Sequence, residues 1–444
     1  MAARPLRIAL VSYRGNMRCG GQGIYLWFLA RELAARGHRV DVLVGPPYPD
    51  PMPFARALLP LENQQFWGKW FLRNWSAFVP RTRPLRLFEP LTFWELGASH
   101  FGFLPEPFAF SLRAFRVLAA RLRAGERYDL VHDVQCLGYG LLGLRALGLP
   151  VVATVHHPLS VDRRASFARD RGLREAIGTA TFHPVGMQAF VARRLDRVLT
   201  SSQASARMIE RDFRVPAGRI RNVWNGLDTG LFRPEPGVER SASELLCVGR
   251  ASDPTKGVRL LVEALGRLPA GVRLTLVDDD SPGNPARQWA EDGGCAGRLH
   301  ITGRIPTPEL VRLYSRATLV VVPSRFEGFG LPAAEAMACG TPVVACAAGA
   351  LPEIVRAGEG GVLTPGGDAE AMAKTIGSLL EQPALRARLG ARARERVAAL
   401  FDWSRIAEAT EGVYRELLGE RRGRPASTTT SAQPGRRRAH APSA

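Results

Sequence analysis

No stretch of the 444-residue chain approaches the ~18 uninterrupted apolar residues that a membrane-spanning helix needs, so no spanning segment is expected. Residues 1–12 run straight into a strand-like pattern and lack a signal-peptide cleavage region. The six cysteines (Cys19, Cys136, Cys247, Cys295, Cys339 and Cys346) form no C-x-x-C pair and keep no regular spacing. That argues against a disulfide framework, and the expectation is reduced core thiols in a cytosolic protein. No G-x-G-x-x-G is present, so dinucleotide binding is unsupported. No recognised nucleic-acid module is present either, and no nucleic acid is expected as a partner.

What is there fits a globular chain long enough for two ordinary domains. Hydrophobic residues make up 46% and charged residues 23%, enough apolar surface for a real core. The net charge of +19 is carried mostly by arginine, and residues 419–444 hold six arginines against Glu420, which places +5 of it there. This Pro/Ser/Thr-rich tail is expected to be disordered. The remaining charge suits phosphates, anionic lipid or nucleic acid, and by itself it does not choose among them.

The chain is organised around Ala317 to Cys346. An apolar, β-branched run, Thr318 to Val322, has the length of a buried strand. A Gly-containing loop follows from Pro323 to Gly330, then Pro332 at a first helical position, where its missing N–H costs nothing. A short Ala-rich helix ends at Gly340, and Thr341 to Ala345 is a second strand. The N–H groups at Gly330 and Leu331 open a helix and form a ready phosphate site. Glu327 in the loop and Glu335 in the helix, seven residues between them, are poor phosphate ligands but good acceptors for vicinal sugar hydroxyls. Together these groups suit a nucleotide sugar, although the spacing alone also admits a plain βαβ unit with solvated glutamates.

The string FEGFGLPAAEAMACGTPVVA, residues 326–345, resembles the signature of retaining glycosyltransferases of family 4, which have the GT-B fold. The resemblance implies that Glu335 binds the nucleotide ribose and Glu327 lies near the transferred sugar, with Phe329, Gly330 and Leu331 alongside. Other stretches match it too. Leu6 to Val11, the loop Ser12 to Gly23 and the helix Ile24 to Arg36 form a strand–glycine loop–helix unit, in which Gly20 and Gly21 approach the donor and acceptor. Val151 to Val155 leads to His156, the position that touches the transferred sugar in the family. His157 carries no such match, and a structural hydrogen bond is expected for it. Asn225-Gly226-Leu227-Asp228 and Phe232-Arg233-Pro234 resemble the passage between domains, with Asn225 counted among the substrate contacts. Gly249-Arg250 and Lys256-Gly257 match the pair that holds the diphosphate, a planar fork and a point charge that stabilise a leaving group without metal. Gly303-Arg304 resembles the turn that packs on the nucleobase, and Gly349 to Glu353 matches a Gly-x-x-x-Glu. Arg18 stands where glycogen-type synthases carry lysine.

Two segments depart from the pattern. Residues 45–110 interrupt the alternation with Trp67, Trp70, Trp75 and Trp94, interleaved with Lys69, Arg73, Arg81, Arg83 and Arg86. They suit a membrane interface, stacking on sugars, or a locally packed helical cap. Asp278-Asp279-Asp280 replaces a Gly-rich turn, and a metal role for it is left open while no metal is expected. The expectation is therefore α/β: two Rossmann-like domains, 1–235 for the acceptor and 240–400 for the nucleotide sugar, facing a central cleft. A helix at 402–418 returns to the first domain. The implied activity is metal-independent, retaining transfer from a UDP- or GDP-sugar to a glycan or lipid-linked acceptor, with no cofactor. It would take place in the cytoplasm, either free or peripherally on the inner face of the plasma membrane. A glucan synthase, a sugar-nucleotide epimerase and a basic nucleic-acid-binding protein are the alternatives.

Overall fold

The computed structural model describes residues 4–17, 21–64, 84–167 and 172–423. Among the described residues thirteen short strands build two sheets, and every strand pair between them is parallel. The first sheet holds β1 (Arg7–Ser12), β2 (Arg39–Val44), β3 (Ala57–Pro60), β4 (Leu130–Val134), β5 (Val151–Thr154), β6 (Arg197–Thr200) and β7 (Ile220–Asn222), in the order β3-β2-β1-β4-β5-β6-β7. The second holds β8 (Glu244–Val248), β9 (Arg273–Val277), β10 (Leu299–Ile301), β11 (Leu319–Val322), β12 (Val343–Cys346) and β13 (Gly361–Thr364), in the order β10-β9-β8-β11-β12-β13.

Near-continuous apolar strands imply sheets covered on both faces, and the packing follows the period of two. In β1, Ala9 and Val11 join one core layer while Ile8 and Leu10 join the opposite one. In β11, Leu319 and Val321 face one layer and Val320 and Val322 the other. The order reverses direction between β1 and β4 in the first sheet and between β8 and β11 in the second. Crevices at such points, outside the carboxyl ends of the strands, are where doubly wound sheets bind ligands. We place the division between the halves at 235–242, in the passage from β7 to β8.

The chain then returns. After the Pro383–Leu400 helix of the second half, the Leu227 N–H donates to Phe401 O (2.7 Å). The Trp403–Gly423 helix lies against the first half, where Trp403 stacks on Phe28 (5.3 Å between ring centroids) and Tyr414 is fully buried. This helix runs past 418. Glu420 accepts from Arg197, and Arg421 donates to Asp196 Oδ1 (3.1 Å) and to Gly148 O (2.8 Å). Disorder from 419 onward is thus corrected for 419–423, where partners on the first sheet hold the last turns; residues 424–444 lie outside the described residues.

The 45–110 region does not abandon the sheet. Ala57–Pro60 adds an edge strand beside β2, and the Pro90–His100 and Glu106–Arg123 helices follow. Trp67, Lys69, Trp70, Arg73, Trp75, Arg81 and Arg83 lie outside the described residues, as do Arg18 and Cys19. The five described cysteines, Cys136, Cys247, Cys295, Cys339 and Cys346, are buried and unpaired. Among the described residues no helix is long and apolar enough to cross a membrane.

Candidate active site

The loops after β8 and β11 are stitched together at the switch point of the second sheet. Asp253 caps the short turn Pro254–Lys256 by accepting from the Thr255 N–H (2.9 Å), and the Arg325 N–H donates to Thr255 O (2.8 Å). This brings Lys256 Nζ to 2.8 Å from Glu327 Oε1, which also accepts from the Ser324 hydroxyl (2.8 Å). Their side chains are 29% and 11% exposed, so an ion pair forms at the floor of a cleft and not on an open surface. The Glu327 backbone is clamped from behind: Ala350 N–H donates to Glu327 O (2.9 Å), and Gly349 beside it has φ +54°. Gly330 precedes the Leu331–Ala338 helix; Pro332 carries no N–H and the Ala333 N–H donates to Gly330 O (3.0 Å), which leaves the Leu331 N–H without an intrahelical acceptor.

The first half supplies the opposite wall. His156, past the end of β5, receives Gln135 Oε1 on its backbone N–H (3.0 Å) and sets Nδ1 3.1 Å from Asn225 Oδ1. With that oxygen as acceptor, Nδ1 carries the proton, and Nε2 is a bare acceptor. Nε2 is buried and has no hydrogen-bond partner among the described residues. Burial, with His157 adding to it, pushes the imidazole down to about 4, so His156 is neutral near pH 7. A neutral ring with one free nitrogen suits a sugar hydroxyl.

Between these walls lies a cleft of about 430 Å³ lined from both halves. It brings together Gly21, His156, Asn225, Lys256, Glu327, Phe329, Gly330 and Leu331, eight of the residues picked out from sequence. Phe329 contributes from within the core, 4% exposed and packed against Phe401 and Trp224. Gly20 lies outside the described residues. Gly249, Arg250, Arg304 and Glu335 are not among the residues lining this cleft. Arg250 is exposed and makes no ion pair with the described residues, while Gly249 lies under the Lys256 chain. Arg304 is exposed, one residue past Gly303, which sits beside Asp280. Glu335 accepts from the Tyr314 hydroxyl (2.7 Å); burial pushes its carboxyl up to about 7, with that hydrogen bond opposing.

Other residues join them. Tyr13, Gln22 and Ser201 line the cleft with no signal in the sequence, and Gln135 and Asp162, polar residues that follow strand ends, line it too. His157, expected to make a structural hydrogen bond, pairs with Asp162 (3.0 Å) and lines the cleft as well. His132 and Asp133, which the strand-end rule puts at the crevice, are fully buried instead. The returning helix covers that strand end: His132 contacts the Tyr414 hydroxyl on one ring nitrogen and the Thr154 hydroxyl (2.7 Å) on the other. Two of the three aspartates at 278–280 have their carboxylates engaged locally. Asp278 accepts from the Ala251 N–H (2.8 Å) and from Asn284 (2.9 Å), and Asp279 accepts from the Ser281 hydroxyl (2.8 Å). Among the described residues no group of three or more His, Cys, Asp or Glu is placed to hold a metal ion.

Two doubly wound parallel sheets, with a cleft drawn from the strand ends of both, define a glycosyltransferase of the GT-B fold. Comparison with known proteins agrees. The model for Glycosyltransferase Family 4 matches residues 19–231, and that for Glycosyl transferases group 1 matches residues 231–396. The MMP alpha-(1->4)-mannosyltransferase of Mycolicibacterium hassiacum is 39% identical over 421 residues, covering 93% of this chain and 98% of that one. The D-inositol 3-phosphate glycosyltransferase of Acidothermus cellulolyticus is 32% identical over 449 residues, covering 94% and 92%. Among solved structures, the sucrose-phosphate synthase from Thermosynechococcus elongatus superposes with a TM-score of 0.68 at 28% identity, over 94% of this chain and 100% of that one. Anabaena HepE in complex with UDP and glucose has a TM-score of 0.64 at 21% identity, over 92% and 99%. The chain belongs to glycosyltransferase family 4 and is a transferase enzyme.

Proposed function

We propose that the protein transfers a hexosyl group from a UDP- or GDP-sugar to a hydroxyl of a glycan or lipid-linked acceptor, with retention at the anomeric carbon. The observation that carries this reading is the pairing of opposite walls. The bare Nε2 of His156 comes from one half and the Lys256–Glu327 pair from the other, across one cleft. The names of two comparison proteins, a mannosyltransferase and a protein bound to UDP and glucose, support a hexose on a nucleoside diphosphate.

In the reaction the C1–O bond to the diphosphate breaks, its electron pair leaving on the phosphate oxygen. The acceptor hydroxyl bonds to C1 on the same face, and its proton passes to that phosphate oxygen. Lys256, Arg250 and the N–H groups at Gly330 and Leu331 stabilise the departing charge. His156 and Glu327 hold the sugar's hydroxyls, and Asn225 fixes the His156 ring. Gly249 belongs with Arg250 at the diphosphate, and Glu335, with Arg304, binds the nucleoside end. The cations suit the leaving group without a resident metal, and turnover unchanged by EDTA is the expected result.

Peripheral attachment to an anionic bilayer is part of the same proposal. Phe93, Phe101, Leu173 and Ile177 are exposed on the first half. A groove of about 670 Å³ lined by Phe93, Trp94, Phe101, Phe108, Tyr139 and Met187 lies among them, next in sequence to the cations at 69–86. Flotation with anionic but not neutral liposomes is expected, and equal recovery with both discards the attachment.

The donor is tested by thermal-shift titration with UDP, GDP, ADP and their common sugars. A ligand at about a hundred times its Kd adds ~2.7 kcal/mol of stability. Stabilisation by one nucleotide family identifies the base. A folded protein that none of them shifts contradicts the proposal.

A further inference from the structure

The two walls of the cleft are also tied together by Glu353, which does not line it. Ser202 caps the Gln203–Phe213 helix of the first half by accepting from the Ser205 N–H (3.0 Å). The two N–H groups ahead of it, which a helix start leaves without partners, are taken by one carboxylate of the second half. Gln203 N–H and Ala204 N–H donate to Glu353 Oε2 and Oε1, each at 2.8 Å. An anion at a helix N-terminus is favoured by the peptide dipoles as well as by the hydrogen bonds.

The same corner grips the catalytic loop. Gly328, next to Glu327, presents its carbonyl to the hydroxyls of Ser202 (2.8 Å), Ser201 (3.2 Å) and Ser205 (3.3 Å). Ser205 also donates to His156 O (3.1 Å). A Cβ at Gly328 would stand 2.9 Å from His156 O, so the loops bearing His156 and Glu327 touch backbone to backbone. Glu353 itself lies in the Leu351–Val355 turn, which begins just after Ala350 holds Glu327 O.

We propose that Glu353 is a positioning residue: it latches the second half onto the 203–213 helix and so sets the spacing between His156 and Glu327. It contacts neither the reacting atoms nor the residues of the cleft floor. Its effect runs through the fraction of molecules whose halves are closed. A protein whose competent state is only partly populated binds its substrate more weakly by that fraction. This inference rests on the transferase reading for its kinetic arm alone.

The test uses the full chain with Glu353→Ala and Glu353→Gln, read by small-angle X-ray scattering without ligand and by kinetics with GDP-mannose and UDP-glucose. Glu353→Ala is expected to raise the radius of gyration. It should lower kcat/KM by roughly ten- to a hundredfold, the range of one or two charge-assisted hydrogen bonds. Most of that change should lie in KM, with kcat moving by less than about threefold. Glu353→Gln keeps one acceptor oxygen and should fall between the two; it also serves if the alanine variant does not fold. Wild-type scattering in both variants overturns the latch, as does a collapse of kcat at unchanged KM. The scattering needs no substrate, so it decides the latch even if neither donor is turned over.

Discussion

Replacing Gly349 by alanine tests how tightly the fold must hold Glu327. A Cβ built at Gly349 stands 2.4 Å from Glu327 O and 2.7 Å from Glu327 N. Both are backbone atoms, so no rotamer change relieves the clash. Ordinary contact begins near 3.4 Å, so the Glu327 backbone must retreat by about 1 Å, and a misplacement of that size costs roughly a hundredfold in rate. The left-handed φ of +54° adds about 1–2 kcal/mol of conformational cost for alanine. Gly358 is the matched control: its φ is +84°, yet nothing lies within 4 Å of its Cβ position. Gly358→Ala should show a similar conformational cost and leave kcat/KM within about twofold. The assay pairs urea unfolding with initial rates of nucleoside diphosphate release. Gly349→Ala retaining activity within threefold of wild type would refute the reasoning, as would equal inactivation by Gly358→Ala.

Three further perturbations follow from the geometry. Lys256→Met removes the cation from the cleft and leaves Glu327 with Ser324 alone. It should cost 10²- to 10³-fold in kcat/KM, on the scale of a lost transition-state contact. With Lys256 29% and Glu327 11% exposed, the change leaves a largely buried carboxylate without its cation and should lower stability by about 1–3 kcal/mol, checked by thermal melting. Burial pushes Glu335 up to about 7, and in the proposed ribose contact the ionised form is the stronger acceptor. Nucleotide affinity by calorimetry should therefore fall as pH drops from 8 to 6, and Glu335→Gln should abolish that slope. The same raised carboxyl gives stability that is present below its unfolded value near 4.5 and lost as pH rises through 7, so Glu335→Gln flattens this part of the stability curve. His156, pushed down to about 4, should keep the ring shifts of a neutral imidazole down to pH 5 in NMR spectra. A titration midpoint above 6 contradicts the buried, Asn225-bonded ring.

Much of this fold is legible in the chain because buried parallel strands are written as β-branched runs stopped by glycine. Thr318 to Val322 becomes β11 (Leu319–Val322), and Val151 to Val155 becomes β5 (Val151–Thr154), each within a residue of its expected ends. The edge strand Ala57–Pro60 escaped. It has four residues, none of them buried, and a proline at its end, so no buried run announces it. The 106–123 helix was also missed, because it straddles the end of the irregular 45–110 segment and its periodic buried face was not followed past 110. In the site, the loops after β5, β8 and β11 bring His156, Lys256 and Glu327 to one cleft. Long-range partners carried no local signal. His132 meets Tyr414 across 282 residues, and Glu353 meets Gln203 across 150. Such contacts arise only when the returning helix and the second half close over the strand ends.

The measurement that tests the central claim most directly is the structure of a transfer product. Purified wild-type protein, incubated with the nucleotide sugar that the thermal screen selects and a hydroxyl-bearing acceptor glycan, should give a product whose anomeric configuration by NMR equals that of the donor. Lys256→Met should give almost none. A product of inverted configuration would contradict same-face transfer, and undiminished product from the Lys256→Met protein would remove the chemistry from this cleft.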